Sequence, residues 1–290
     1  MNKEDSFDEK NKIVGGVLYV VATPIGNLDD ITLRALKTLS EVDYIAAEDT
    51  RNSRKLLSHY DINTPMISYH EHNKYDRGDQ IIKRLREGKS YALITDAGMP
   101  GISDPGQELV RMCLDEEIPV TVVPGASAGI SALVISGLPT DKFVFEGFLD
   151  GNHNAHIKRL EQLKDEKRTL IFYEAPHRLR TTLSEMESVF GDREISVCRE
   201  LTKKNEEVIR STLMDINAYY EEVEPRGEYV LIIRGAEYTS DELFWQDMTL
   251  REHFDFYCSQ GMDNMEAIKK VARDRGVGKN VIYSELMRKE

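Results

Sequence analysis

Cysteine is scarce in this chain of 290 residues. Cys113, Cys198 and Cys258 lie far apart, and no CxxC pair occurs. That excludes a disulfide framework and a cysteine-built zinc site, and it suits a reducing cytoplasm. Apolar runs are short, and none approaches the roughly 20 residues that span a bilayer, so no membrane partner is expected. The opening MNKEDSFDEKNK has no apolar core. It reads as a flexible tail over residues 1–13 rather than a secretory signal. Positive charge is also in deficit: 38 Lys and Arg stand against 51 Asp and Glu, a formal net charge of -13. A nucleic-acid partner would therefore have to be met by a local basic patch. GxGxxG and GxxxxGK[ST] are both missing, which leaves a dinucleotide fingerprint or a P-loop without support. There is no internal repeat, low-complexity segment or metal-ligand spacing.

What is present is an alternation of short apolar runs and helical patterns. Strands are expected at Val17–Val21, Asp43–Ala47, Pro65–Tyr69, Tyr91–Ile94 and Ile118–Val123. Helices are expected between them, with Asp29 and Asp30 as capping carboxylates before the first, and with another over Gln80–Leu85. Alternation with short connections is the signature of a largely parallel sheet covered on both faces. Three of these strands end in rigid turns: Pro24-Ile25-Gly26, Gly98-Met99-Pro100-Gly101 and Pro124-Gly125. In a parallel sheet such ends share one edge, where α/β proteins hold ligands. Glycine there permits close backbone approach, and proline stiffens the loop.

A second α/β unit starts near Asp141. Its expected elements are a strand at Phe143–Phe145, a polar helix over Asn152–Lys167 and a strand at Thr169–Tyr173. Pro176 then falls in the first turn of the next helix. Further strands are expected at Glu194–Val197 and Glu228–Arg234, with an edge strand at Glu206–Thr212. The tail from Thr239 turns helical. Asp263 and Glu266 form a capping pair for a helix that leads through Gly276-Val277-Gly278 into another, a helix-turn-helix outline. Its cations are Lys269, Lys270, Arg273, Arg275, Lys279, Arg288 and Lys289. They fit either nucleic-acid contact or a solvated helical bundle or dimer surface.

The segments VATPIGNLDDIT, AAEDTR, TDAGMPGISDPG, VPGASA, EGFL, FYEAPHR, RELTK and GEYVL occur in that order. Together they resemble the bacterial 16S ribosomal RNA cytidine-2'-O-methyltransferases, a branch of the tetrapyrrole (corrin/porphyrin) methylase superfamily. The resemblance covers roughly Val17 to Ala236. It implies an α/β protein of the class III methyltransferase type, with a cleft between two α/β domains. The domains would be residues 14–128 and 129–238, followed by a small helical domain, 239–290. It also implies a cytoplasmic homodimer that binds S-adenosylmethionine and acts on 16S RNA of the small ribosomal subunit, in the decoding region.

Carried over by position, the resemblance puts Pro24, Ile25, Gly26, Asp96, Gly98, Met99, Pro100, Ser127 and Ala128 beside the cofactor. Phe172 or Tyr173 closes from the second domain. Met99 stands where the family usually has threonine. Methyl transfer from a sulfonium is an in-line displacement, so alignment supplies much of the rate. A ribose hydroxyl is a weak acid and needs a base or a nearby cation. The candidates are Glu48, Asp49, Glu174, Glu200 and Lys203. Phosphate contacts need Lys and Arg. Candidates are Arg51, Lys158, Arg159, His177, Arg178, Lys204, Lys270, Arg273 and Lys279, with His156 and Lys203 beside them. Two other readings stay open: a methyltransferase for a tetrapyrrole, and a non-catalytic ribosome-binding module.

Overall fold

The computed structural model describes residues 11–149, 151–237 and 244–287. Most of the expected N-terminal tail, and Arg288 and Lys289, lie outside them. The described residues up to Ala236 form one compact unit, and those from Glu237 form another.

The first sheet is built from β1 (Leu18–Val21), β2 (Tyr44–Ala47), β3 (Met66–Ser68), β4 (Tyr91–Ile94) and β5 (Val120–Val123). Its order is β3-β2-β4-β1-β5 and every pairing is parallel. The strands read as continuous apolar runs because both faces are covered. On one face Val21, Ile45 and Ile94 pack with Leu39 of α1 (Leu33–Glu41) and Leu57 of α2 (Thr50–His59). On the other, Leu18, Val20 and Leu93 pack with Ile81 and Leu85 of α3 (Lys74–Arg86) and Leu109 of α4 (Gly106–Asp115).

The second sheet is β6 (Phe143–Gly147), β7 (Thr169–Glu174), β8 (Glu194–Arg199), β9 (Glu207–Thr212) and β10 (Tyr229–Ile233), in the order β6-β7-β10-β8-β9. Only β6 and β7 run parallel; the other pairings are antiparallel, and β9 is an edge. One face packs on α6 (His153–Leu163), α7 (Leu179–Phe190) and α8 (Leu213–Glu222). The other receives Ala132 and Leu133 of α5 (Ala128–Ser136). That helix leaves the first sheet but packs on the second, against Ile171 and Ile232. The carboxyl edge of the first sheet is thereby brought to face the second.

Local chemistry departs from expectation at several ends. Asn27, not an aspartate, accepts from Asp29 N–H and opens a short 3₁₀ turn, and Thr32 caps α1 by accepting from Ala35 N–H. α3 begins at Lys74, six residues before the expected start, and α6 stops at Leu163. Pro176 lies in a turn closed by Arg178 N–H on Ala175 O, ahead of α7, because Arg178 is the N-cap.

The second unit holds α9 (Leu250–Ser259), α10 (Asn264–Asp274) and α11 (Lys279–Met287) around Tyr257, Ile268, Val271 and Ile282. Thr249 and Glu252 form a full capping box on α9; Asp263 caps α10 by accepting from Glu266 N–H. Arg275 is spent inside this unit. It donates to the carbonyl of Met248 and to His253 Nδ1, and it lies over the Trp245 ring. That removes it from the expected RNA-contacting cations.

Candidate active site

The carboxyl ends of β1, β4 and β5 are stitched together by main chain. Thr23 and Gly98 exchange both backbone hydrogen bonds, at 2.9 and 3.1 Å, and Ala22 N–H reaches Val123 O at 3.1 Å. Gly98 has φ +80, and a Cβ on it would meet Ile25 Cγ2 at 3.2 Å, so the focal turn requires glycine there. Between this edge and the second sheet lies a cleft of about 440 Å³, within the roughly 300–1,000 Å³ of small-molecule sites.

Of the residues expected beside the cofactor, Ile25, Gly98, Met99, Ser127, Ala128 and Tyr173 line the cleft. Pro24, Gly26, Asp96, Pro100 and Phe172 do not, and the reasons are local. Successive strand residues face opposite sides. Phe172 therefore points into the core beneath α6 and α7, while Tyr173 points to the cleft. Asp96 holds two loops together, accepting from Asp49 N–H and from Asn52 Nδ2. Gly26 is the point where the first turn meets the RELTK loop: a Cβ there would lie 2.8 Å from Leu201 O and 2.5 Å from Lys203 Cγ.

Three of the five proton-transfer candidates line the cleft: Glu48, Glu174 and Lys203. Glu48 ends β2, and its Oε2 accepts from Thr95 Oγ1 at 2.6 Å. The Glu174 side chain is fully buried. It accepts from Ala175 N–H and Arg178 Nε through Oε1, and from Thr182 Oγ1 through Oε2. Lys203 donates to Glu200 at 2.9 Å and Glu228 at 2.7 Å. Burial pulls its ammonium down, but these two carboxylates outweigh it and hold Lys203 above its ordinary range. Burial likewise lifts Glu200, yet Lys203 and the Glu228 N–H bring it net below the usual carboxylate range. Asp49 is outside the cleft, capping α2 and pairing with Arg51; the Arg51 side chain holds it down at about 2.

The RELTK loop is strained. Glu200 and Thr202 have φ of 51 and 64, left-handed values that disfavour side chains, at roughly 1–3 kcal/mol each. Thr202 Oγ1 accepts from Asn27 N–H at 3.0 Å, tying this loop to the first turn.

Sequence reading missed Asp104, which lines the cleft beside Glu48. Its carboxylate accepts from Gly101 and Gly106 N–H at 2.9 and 2.7 Å. Burial raises its proton affinity, and the charge of Glu48 adds to the rise. The signal was its place in a second turn directly after the focal one. Phe148 was also missed. It meets Tyr173 edge-on at 5.6 Å, and Tyr173 Oη accepts from Gly129 N–H at 3.1 Å.

None of the nine RNA-contact candidates lines the cleft. Arg51, Arg159 and Arg178 are paired with Asp49, Glu146 and Glu174. Lys270 faces Asp274 at 3.9 Å. His156 is buried on Glu185, so it faces no phosphate. Lys158, His177, Lys204, Arg273 and Lys279 are exposed.

The fold has solved counterparts. Diphthine synthase superposes with a TM-score of 0.60 at 11% identity, covering 79% of this chain and 93% of that one. A uroporphyrin-III C-methyl transferase from Thermus thermophilus, complexed with S-adenyl homocysteine, gives 0.54 at 19% identity, covering 75% and 96%. Two sheets about one cleft in this arrangement define a class III methyltransferase. Residues 17–217 match the profile of the Tetrapyrrole (Corrin/Porphyrin) Methylases. Over 286 residues the chain is 48% identical to ribosomal RNA small subunit methyltransferase I of Halalkalibacterium halodurans, covering 98% of each. The protein of that name in Bacillus subtilis (strain 168) is also 48% identical over 286 residues, covering 98% of this chain and 97% of the relative. The chain therefore belongs to the tetrapyrrole methylase family and, within it, groups with the ribosomal RNA small subunit methyltransferase I proteins. It is an enzyme of that family, with S-adenosylmethionine as its cofactor.

The cleft fits that cofactor. Ile25, Met99, Leu201 and Val230 offer an apolar slot, and the amino end of α5 opens at Ser127 and Ala128 with no side-chain cap. The aromatic rings of Phe148 and Tyr173 in its wall suit a cation.

Proposed function

We propose that this protein methylates the 2'-hydroxyl of a cytidine in 16S RNA of the small ribosomal subunit, in its decoding region. The observation that carries the reading is 48% identity over 98% of a named small-subunit RNA methyltransferase. A cleft that combines a donor slot with a carboxylate and an ammonium supports it. S-adenosylmethionine supplies an activated methyl on a good leaving group. The chain supplies the rest. The stitched turns after β1, β4 and β5 hold the donor slot rigid. The apolar walls exclude water, which strengthens each charge in the cleft. Lys203, kept protonated by its two carboxylates, can hold negative charge on or beside the acceptor sugar. Proton removal falls to a carboxylate in the cleft.

The test supplies labelled S-adenosylmethionine with unmodified small subunits, naked RNA and a porphyrinoid. Label should enter subunit RNA, at one cytidine whose following linkage resists alkali, because a blocked 2'-oxygen cannot attack the phosphate. Label in the porphyrinoid alone would favour the tetrapyrrole reading. Neither donor binding nor transfer would favour a binding module.

We place the protein in the cytoplasm with its ribosomal substrate, as a homodimer. No helix among the described residues is long and apolar enough to cross a membrane. α5 is apolar around its whole circumference, and Ile130 and Val134 stay exposed, Val134 at 70%. A helix of that kind normally ends up buried. Sedimentation should give a dimer, and Val134→Lys should shift it toward monomer. A wild-type monomer at micromolar concentration would remove the dimer from the proposal.

A further inference from the structure

We propose that Glu48 is the base that takes the proton from the attacking ribose hydroxyl, and that Thr95 positions it. This rests on reading the cleft as a ribose methylation site. Glu48 alone among the candidates combines access with a free acceptor. Its Oε2 is fixed by Thr95 Oγ1, while Oε1 accepts no hydrogen bond among the described residues. Glu48 is half-buried and lines the cleft.

The others are committed. Glu174 gives both oxygens to donors and lies wholly buried. Glu200 and Asp49 lie outside the cleft in their own ion pairs. Lys203 is a cation twice paired. Asp104 lines the cleft, but both its oxygens accept from backbone amides.

The mount of Glu48 is rigid. Thr95 is buried at the end of β4, and its carbonyl accepts from Thr23 Oγ1 at 3.2 Å. The carboxylate is thus tied to the ends of β2, β4 and β1 together. Charged and titratable groups around it are Asp104 ahead of α4, Asp96 after β4, and Asp49 with Arg51 beside it in the chain. From the second half come Lys203, Glu174 and Glu228.

In the step, the ribose oxygen bonds to the methyl carbon while its proton passes to Glu48 Oε1. The carbon–sulfur bond of the donor breaks, its electron pair stays on sulfur, and the thioether leaves uncharged. No oxidant or metal is needed for this balance.

The experiment uses the full chain with small subunits lacking the modification. Glu48→Gln keeps the shape and the Thr95 hydrogen bond but loses the basic oxygen. Calorimetric affinity for S-adenosylmethionine and for S-adenosylhomocysteine should stay within about threefold of wild type, a shift under 1 kcal/mol. The single-turnover rate should fall by roughly 10²–10⁴, the usual share of general base catalysis. The wild-type rate should drop in acid as the base protonates, and Glu48→Gln should lose that acid limb. Glu48→Asp should keep the limb at a reduced rate. Thr95→Val should lower the rate by about tenfold with the limb and donor affinity retained; it carries the test should Glu48→Gln fail to fold.

A Glu48→Gln rate within threefold of wild type would overturn the assignment. So would weaker binding of the sulfonium donor with unchanged binding of its uncharged product, which would make Glu48 a holder of the donor's charge. If the wild type binds donor but labels no ribose, the proposed function falls instead.

Discussion

Asp104 sits above the usual carboxylate range because it is buried, with the charge of Glu48 adding to the rise. A carboxyl raised on folding contributes stability that is full below its unfolded value, near 3.8, and that is lost as pH rises through the folded one. Asp104→Asn removes this dependence, and its one oxygen can still accept from Gly101 and Gly106. In calorimetric melts the variant should match wild type near about pH 3 and exceed it near about pH 7. A lower melting temperature at neutral pH would contradict the assignment.

Gly26 makes a different prediction at the same scale. Gly26→Ala would press a methyl onto Leu201 O, a backbone atom that cannot swing away. Overpacking of that kind costs about 1–3 kcal/mol in urea unfolding, and donor affinity should fall because the two loops frame the slot. Sequence showed this glycine as a turn former. What it touches comes from a loop 175 residues away, which no local pattern reports.

Among the elements, β7 shows where sequence reading stops. Its apolar run, Thr169 to Tyr173, identifies a strand, and β-branched and aromatic residues place it in a sheet. The run does not say which parity faces a helix layer and which faces a cleft. Packing of α6 and α7 on one side and α5 on the other settles that, so Tyr173 lines the site and Phe172 does not. Helix starts were legible where a short polar side chain precedes an apolar period, as at Asp263. They were misplaced where several candidates sit together, as in Asn27-Leu28-Asp29-Asp30-Ile31-Thr32. The capping box on α9 is testable alone: Thr249→Ala should cost about 1 kcal/mol, read as faster amide exchange across Leu250–Ser259. Unchanged exchange there would show that the cap does not limit fraying.

At the scale of the whole molecule, charge distribution decides how an acidic chain meets RNA. With a net charge of -13, broad phosphate attraction is weak and exposed cations without ion pairs must carry it. Lys269, Arg273 and Lys279 are exposed within the C-terminal unit. Reversing all three to Glu should weaken small-subunit binding and reduce the salt slope of that binding by roughly 2–3. Donor affinity should not move. An unchanged slope would take the C-terminal unit out of the RNA contact.

Composition, alternating periodicity and glycine- and proline-marked strand ends are local properties, so the chain's own order of residues determined the two α/β halves, the helical tail and the turns that form one wall of the site. Tertiary structure alone decided which acidic side chains stay accessible. Asp49, Glu174 and Glu200 each pair with a cation close by in the chain, Arg51, Arg178 and Lys203, whereas Glu48 takes its donor, Thr95, from the end of the neighbouring strand and keeps one oxygen free. Which of these neighbours pair, and which carboxylate is left open to a cleft, depends on how the strands and helices pack, and the sequence records only distance along the chain.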